Sequence, residues 1–377
     1  MRPLVVSLIF VVISSGLHPA ELAWPRPPEC DEAAPTAPTY PDRFDVLSVI
    51  SPDGTSRPAK TPAEWETRRR HIKAALERVM GPFPNPARKM ALDVKVLEDV
   101  KLTDGLVRRK LSYQSDATDR VAAYLFLPAE AQRAGGAGPR RRLPAILCLQ
   151  QTTAAGKSEP AGLAGDESLH YALHLARRGY VTLAPDYPGF GDSKYDFAPQ
   201  HGYASGSMKA IWDNVRAVDL LESLPEVDAA RLGVIGHSLG GHNAMFTAVF
   251  EPRLKVIVSS CGFTSFRKDD LPSWTGPRYM PRIATEFAND AAKVPFDFPE
   301  IVAAFAPRPF LACAAENDDD FDVSGVREVL AVARSVYELH GAKERLVGYY
   351  PKAEHSFSDV ARRTAYEFLD KFLKSEK

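Results

Sequence analysis

Two hydrophobic patterns follow one another along the chain. Apolar and polar positions alternate over residues 92–100 and 106–113, and an apolar run follows at 121–127. This pattern is typical of antiparallel strands. After a loop rich in Gly and Arg at 134–142, short apolar segments alternate with helical ones, which indicates a parallel sheet covered on both faces. The sequence therefore predicts an α/β fold with a mostly parallel central sheet, antiparallel N-terminal strands and helices on both faces.

The bounds of the later elements follow from the same pattern. The predicted strands lie at 143–149, 181–185, 232–235, 256–261, 309–314 and 346–350. The predicted helices lie at 168–178, 211–223, 240–250, 326–340 and 358–373.

One domain is predicted from residue 62 to residue 377. Thr61 is the N-cap of its first helix, Pro62 lies in the first turn, and Gly81-Pro82 ends the helix. Residues 264–295 interrupt the later alternation with four prolines and little strand character, so we predict a lid-like excursion there.

The N-terminus has the pattern of an export signal. Arg2 precedes an apolar run at 4–13 that is too short to span a bilayer, and small residues follow it. We predict a signal peptide at 1–23, with cleavage after Gly16, Ala20 or Ala23, and a proline-rich leader or linker at 24–61. The protein is therefore expected to be secreted or periplasmic, without stable membrane insertion once the signal is removed.

Composition narrows the functional classes. The chain has 47 Lys and Arg residues against 48 Asp and Glu residues, so nothing in its charge favours nucleic-acid binding. Four cysteines in 377 residues are too few for a disulfide framework. Cys148, Cys261 and Cys313 lie in apolar runs and are predicted to be buried thiols. The oligomeric state is not encoded in any of these features.

A candidate nucleophile lies in Gly236-His237-Ser238-Leu239-Gly240, which matches G-x-S-x-G. A buried strand precedes the motif and a helix follows it. A serine on such a strand-to-helix turn is exposed at the carboxyl edge of the sheet. The alternative is a glycine-rich turn that only packs a helix against a strand.

The base should follow Ser238 in the chain, which leaves His242, His340 and His355. His242 is carried away on the helix after Ser238, and His340 lies in the last turn of another helix. His355 lies in a loop directly after the last strand and is predicted to be the base. A solvated loop histidine is the alternative.

The acid should follow a strand between the serine and the histidine. Asp318 is favoured, with Asp319 as the competitor. The alternating aspartates do not make a calcium loop, because Val323 and Val329 replace the required Gly and Glu. We find no metal-binding motif and expect no metal and no cofactor.

Backbone N–H groups should bind the oxyanion. Leu239 follows the nucleophile, and Gln151, with Thr152 as its neighbour, follows the strand at 143–149. Tyr187 follows the next strand and is a candidate substrate-binding residue, although a structural turn is an equal alternative. Trp274 is a second candidate, and packing of the excursion is its alternative.

Serine, acid and histidine in this order resemble the α/β-hydrolase superfamily. Residues 217–228 leading into 236–241 are similar to the dienelactone hydrolase and acetyl xylan esterase-like branch. The resemblance covers residues 62–377 and implies ester hydrolysis without a cofactor. Ser238 stands where dienelactone hydrolases carry cysteine, which points to the esterases, and Gln150 stands where related esterases often carry histidine.

The sequence thus favours an exported serine carboxylesterase with a Ser238, His355 and Asp318 triad. Its expected substrate is a small-molecule or carbohydrate ester, such as an acetyl xylan-type ester. The rival enzyme is a serine peptidase like prolyl oligopeptidase, which uses the same catalytic order. The alternative that is not an enzyme is a catalytically inactive binding protein with the same fold.

Overall fold

The computed structural model describes residues 37–86, 89–131, 142–197 and 202–374. Within them, nine strands form one sheet in the order β11-β10-β9-β8-β6-β7-β5-β4-β3. These strands are β3 (Lys95–Lys101), β4 (Val107–Gln114), β5 (Arg120–Leu127), β6 (Leu143–Leu149), β7 (Val181–Pro185), β8 (Val227–His237), β9 (Leu254–Ser260), β10 (Phe310–Cys313) and β11 (Leu346–Tyr349).

The sheet changes from antiparallel to parallel along the chain, as the sequence predicts. Strands β3, β4 and β5 pair antiparallel, and β5 also pairs antiparallel with β7. The remaining neighbours, from β7 through β6, β8, β9 and β10 to β11, are parallel. All residues of β6 and β7 are buried, as expected of strands covered on both faces.

Helices cover both faces of the sheet. The helices are α1 (Pro62–Met80), α2 (Tyr171–Arg177), α3 (Gly206–Ser223), α4 (Leu239–Phe250), α5 (Arg282–Thr285), α6 (Phe298–Phe305), α7 (Val323–Leu339) and α8 (Asp359–Leu373). Successive residues of β6 belong to opposite cores. Leu147 belongs to the core that contains buried residues of α1, α3, α4, α6 and α7, whereas Ile146 belongs to the core that contains those of α2 and α8. This layering confirms the predicted α/β-hydrolase fold.

The last part of the predicted linker is structured instead. Short strands β1 (Ser48–Ile50) and β2 (Ser56–Pro58) pair antiparallel ahead of α1. The Trp65 indole donates to the carbonyl of Val46 at 2.9 Å, and the Arg43 guanidinium donates to the carbonyl of Val294. These tertiary contacts hold a segment that has no apolar periodicity of its own. The predicted signal peptide and residues 24–36 lie outside the described residues.

Helix α6 is absent from the predicted elements, although the sequence contains a signal for it. Asp297 and Glu300 form a capping box. The Asp297 carboxylate accepts from the backbone N–H of Glu300, and the Glu300 carboxylate accepts from the backbone N–H of Asp297. Pro299 lies in the first turn. The helix is short and buried, so its apolar residues resemble those of a strand in sequence.

The three cysteines predicted to be buried are buried.

Among the described residues, no helix has both the length and the apolar character needed to cross a membrane.

Candidate active site

Ser238 occupies a strained turn between β8 and α4. Its φ of 53° and ψ of −122° lie where residues with a side chain are rarely found. A Cβ on Gly236 would overlap the carbonyl of Gly240, and a Cβ on Gly240 would overlap the carbonyl of Leu149. Glycine is therefore required on both sides of the turn for the backbones to approach so closely.

His355 and Asp318 form a hydrogen-bonded pair at the same edge of the sheet. The His355 Nδ1 lies 2.9 Å from the Asp318 Oδ1, and the ring of His237, the residue before Ser238, lies 5.0 Å from the His355 ring. The Asp318 side chain is 1% exposed. Its Oδ1 also accepts the backbone N–H of Phe321 at 3.0 Å. These contacts fix the carboxylate and orient the imidazole.

The two members of the pair stabilise each other's charge. Burial opposes ionisation of Asp318, but its hydrogen bonds with His355 and the Phe321 backbone lower its pKa below the usual value. Burial also opposes protonation of His355, yet Asp318, Asp320 and Asp319 together raise its pKa above the ordinary histidine value. The Asp320 carboxylate lies 3.5 Å from the His355 Nε2, so it faces the nitrogen that Asp318 leaves free.

Cys261 lies beside this pair. Its Sγ, a carboxylate oxygen of Asp318 and a ring nitrogen of His355 all lie within 4.8 Å of one another. Such residue types can ligate a metal, but a cysteine ligand must be a thiolate. Burial and the Asp318 charge raise the Cys261 pKa to about 12, which favours the neutral thiol. The cluster is therefore suited to hydrogen bonding around Asp318.

A cavity of about 350 Å³ opens next to Ser238. The 264–295 segment supplies much of its wall, including Asp269, Asp270, Trp274 and Tyr279. Ser273 of the segment also lines it. The other lining residues come from the loops after β6 and β10, from the turn after β8 and from the start of α4, and they are Thr152, Ser238, Leu239, His242, Asp319, Asp320 and Phe321.

The predicted oxyanion donors occupy different positions relative to this cavity. Leu239 lines it and begins α4, where the first-turn N–H groups have no acceptor within the helix. Thr152 also lines it, and its hydroxyl lies 3.4 Å from the Tyr279 hydroxyl. The Gln151 side chain donates to Glu159 at 3.1 Å. The backbone roles of Leu239 and Gln151 remain predictions.

The two candidate substrate-binding residues are separated. Trp274 lines the cavity and donates from Nε1 to the Asp269 Oδ2 at 3.0 Å. It also packs against Phe246 and Phe298, so it contributes to both the wall and the core. Tyr187 is buried, its hydroxyl donates to the Arg278 carbonyl at 2.7 Å, and it is not among the described residues that line the cavity.

The sequence pattern did not identify several residues of the cavity wall. His242 was expected to be carried away by α4, but it lines the cavity one turn after Ser238. Asp269, Asp270 and Ser273 lie in an excursion without periodicity, where only their position near Trp274 could have suggested them.

This fold, with a strained serine at the turn between β8 and α4, defines a hydrolase of the α/β-hydrolase class. The profile of the prolyl oligopeptidase family matches residues 168–376. The chain belongs to that family.

Relatives with known descriptions are hydrolases and esterases. The Bacillus subtilis (strain 168) hydrolase YtaP is 28% identical over 220 residues, which cover 54% of this chain and 68% of YtaP. The 4-O-methyl-glucuronoyl methylesterase 1 of Wolfiporia cocos is 27% identical over 203 residues, covering 48% of this chain and 50% of the methylesterase. The chain thus spans about half the length of that methylesterase.

A solved structure extends the likeness to nearly the whole chain. The glucuronoyl esterase from Solibacter usitatus superposes with a TM-score of 0.66 and 20% identity, covering 89% of this chain and 98% of that one. At this identity the likeness establishes the fold, and it agrees with the predicted α/β-hydrolase architecture.

Proposed function

We propose that the protein is an exported serine carboxylesterase that acts through a Ser238 acyl-enzyme. The observation that carries the proposal is the strained Ser238, which lines a cavity at the sheet edge where His355 and Asp318 are paired. A nucleophile, a base and an orienting acid are the groups that acyl transfer requires.

Each residue has one step in the proposed reaction. The His355 Nε2 takes the proton from the Ser238 hydroxyl while Oγ attacks the ester carbonyl carbon. The Leu239 and Gln151 N–H groups stabilise the oxyanion, and His355 then protonates the leaving alcohol. Water, activated by His355, cleaves the acyl-enzyme, releases the acid and restores Ser238. Asp318 holds the imidazole and stabilises its protonated form.

We propose a carbohydrate ester as the substrate class, with acetyl xylan-type esters as an example. Two lines of support are the curated methylesterase relative and the glucuronoyl esterase that shares the fold. The pattern of Arg2 and residues 4–13 supports export to a compartment where polysaccharide is met. Mass spectrometry of the N-terminus in the exported fraction tests this, and an intact Met1 there would contradict signal cleavage.

Labelling with a fluorophosphonate probe and hydrolysis of a short-chain aryl ester test the catalytic proposal. We expect covalent probe on Ser238 and loss of both signals in Ser238→Ala. Ser335→Ala is the matched control, since its hydroxyl donates to the Val332 carbonyl on α7 and Ser335 is not among the described residues that line the cavity. Aryl ester turnover that persists in Ser238→Ala would refute the assignment, and failure of the folded wild type to react would favour an inactive binding protein.

The family to which the chain belongs favours a peptidase as the second candidate. The methylesterase relative and the glucuronoyl esterase that shares the fold favour the esterase over this candidate. Cleavage of a proline-containing dipeptide amide without aryl ester hydrolysis would reverse this choice.

A further inference from the structure

The cavity next to Ser238 is strongly acidic. Four carboxylates line it, from Asp269, Asp270, Asp319 and Asp320, and no lysine or arginine is among the described lining residues. Arg267 and Lys268 are close in sequence but are engaged elsewhere. Arg267 pairs with Glu328, and the Lys268 Nζ donates to the Ser324 hydroxyl at 2.7 Å.

Arginines of the excursion do not neutralise this charge. The Arg278 guanidinium stacks on the Phe190 ring at 4.1 Å. Arg282 donates to the Arg78 carbonyl and pairs with Glu286. Neither arginine is among the described residues that line the cavity. A substrate carboxylate in the cavity would therefore meet like charges, with no lysine or arginine of the described lining to pair with it.

His242 adds a hydrogen-bond acceptor rather than a positive charge. The side chain lines the cavity and is 8% exposed. Its Nδ1 lies 3.2 Å from the Gly262 carbonyl, so Nδ1 carries the proton and Nε2 is the acceptor. Burial lowers the His242 pKa to about 3, which keeps the ring neutral. Within the described part of the chain, Nε2 has no hydrogen-bond partner, so a donor on a ligand can satisfy it.

Aromatic rings complete the wall. Trp274, Tyr279 and Phe321 line the same cavity as the carboxylates. The hydrogen bond from Trp274 to Asp269 ties one ring to one carboxylate. Aromatic faces and carboxylates attract organic cations, through the ring quadrupole and through direct charge.

We propose that the preferred ester carries a positively charged ammonium group on the portion that fills this cavity, and that esters with a free carboxylate on that portion are disfavoured. The inference rests on the proposed esterase function and narrows its substrate class. Among carbohydrate esters, it selects those with a free amino group.

Esters matched in size that differ chiefly in charge test the inference. The first pair is the acetate of 2-(trimethylammonio)ethanol and that of its neutral isostere, 3,3-dimethylbutanol. The second pair is 6-O-acetylglucosamine and 6-O-acetylglucose, and the acetate of 4-hydroxybutyrate supplies an anionic ester. We expect kcat/KM for the cationic member to exceed that of the neutral member by about tenfold or more at low ionic strength. The ratio should narrow in about 1 M NaCl, where the Debye length is about 3 Å.

Substitutions connect the preference to the wall. Asp270→Asn combined with Asp319→Asn should lower the cationic-to-neutral ratio, because both carboxylates are exposed in the cavity. Asp290→Asn makes the same chemical change away from the cavity and serves as the control. Asp290 lies in the same excursion but is not among the described lining residues, and it pairs with Lys293. It should leave the ratio unchanged.

The two proposals fail in distinguishable ways. Hydrolysis of the neutral esters that depends on Ser238, with no cationic preference or with an anionic one, would overturn this inference alone. A preference that is the same in the double variant and in the wild type would also overturn it. If none of the esters were hydrolysed, the esterase proposal and this inference would fall together.

Discussion

The His355 Nδ1 and the Asp318 Oδ1 lie 2.9 Å apart although the two residues follow different strands, β11 and β10. These strands are parallel neighbours, so the loops that leave them meet at one edge of the sheet. Asp319, the competing acid in the sequence, is exposed and lines the cavity instead.

Substituting each of these two aspartates in turn should show which one acts as the acid. We expect Asp318→Asn to lower kcat for an aryl ester by about 10⁴-fold, because the amide does not hold the imidazole in the tautomer that a base requires. Asp319→Asn should cost far less, since its carboxylate is not hydrogen-bonded to the ring. Steady-state kinetics of both folded variants measure this, and an equal or larger loss in Asp319→Asn would reassign the acid.

The sequence predicts the parts of the site that depend on local geometry. Ser238, its flanking glycines and the strands before the proposed acid and base each have a local signature, and their order along the chain places them at one sheet edge. The cavity wall has no such signature. Asp269 and Asp270 reach it through the path of an aperiodic segment that is held by Trp274 and its aromatic neighbours. Likewise, Tyr187 follows a strand, as a site residue should. Its hydroxyl nevertheless donates a hydrogen bond to the Arg278 carbonyl, and it is not among the described residues that line the cavity.

The turn at Ser238 should not accept a side chain at Gly240. A Cβ there would overlap the Leu149 carbonyl and lie 2.7 Å from that of Gln150, and both are backbone atoms that cannot rotate away. We expect Gly240→Ala to abolish esterase activity and to lower the free energy of unfolding by at least about 1–3 kcal/mol, the usual cost of overpacking. Thermal unfolding and probe labelling measure these effects.

Gly276→Ala is the control for that substitution. Its nearest neighbour, the Tyr279 ring, would lie 3.7 Å from the new Cβ, which is ordinary contact. This variant should unfold like the wild type. Full activity and stability of Gly240→Ala would show that the turn can open without cost and would contradict the close packing of α4 on β6.

Lys209 should be essential for stability. Its fully buried Nζ lies 2.5 Å from Asp213, 2.8 Å from Asp119 and 3.5 Å from Asp116, joining α3 to the loop between β4 and β5. Lys209→Met leaves buried carboxylates without their cation, so we expect a loss of about 3–5 kcal/mol in the free energy of unfolding.

An exposed ion pair provides the comparison for Lys209. Lys343 and Glu338 are both well exposed, so Lys343→Met should cost far less stability than Lys209→Met. Chemical denaturation measures both variants. Adding Asp213→Asn to Lys209→Met should recover part of the loss, because it removes one uncompensated charge. A loss for Lys209→Met no larger than that for Lys343→Met would contradict the buried network.

The pH dependence of catalysis should report the acidic surroundings of His355. A base must be neutral to accept the Ser238 proton, so kcat/KM rises with pH as His355 loses its own proton. Because Asp318, Asp320 and Asp319 raise the His355 pKa, the acidic limb should lie above the ordinary histidine value of 6.5. Asp320→Asn removes the carboxylate that lies 3.5 Å from Nε2. The protonated ring then loses a stabilising charge, its pKa falls, and the acidic limb should move to lower pH.

The pH profile of a neutral ester separates this effect from substrate binding. Since such an ester carries no charge in the range, movement of the limb reflects His355 in the free enzyme. Asp290→Asn, which removes a carboxylate outside the described cavity lining, should leave the limb in place. High salt should bring the profiles of wild type and Asp320→Asn closer together, because Asp320 is exposed and its field is screened. A limb that stays in place, or moves to higher pH, in Asp320→Asn would mean that Asp320 does not stabilise the protonated base.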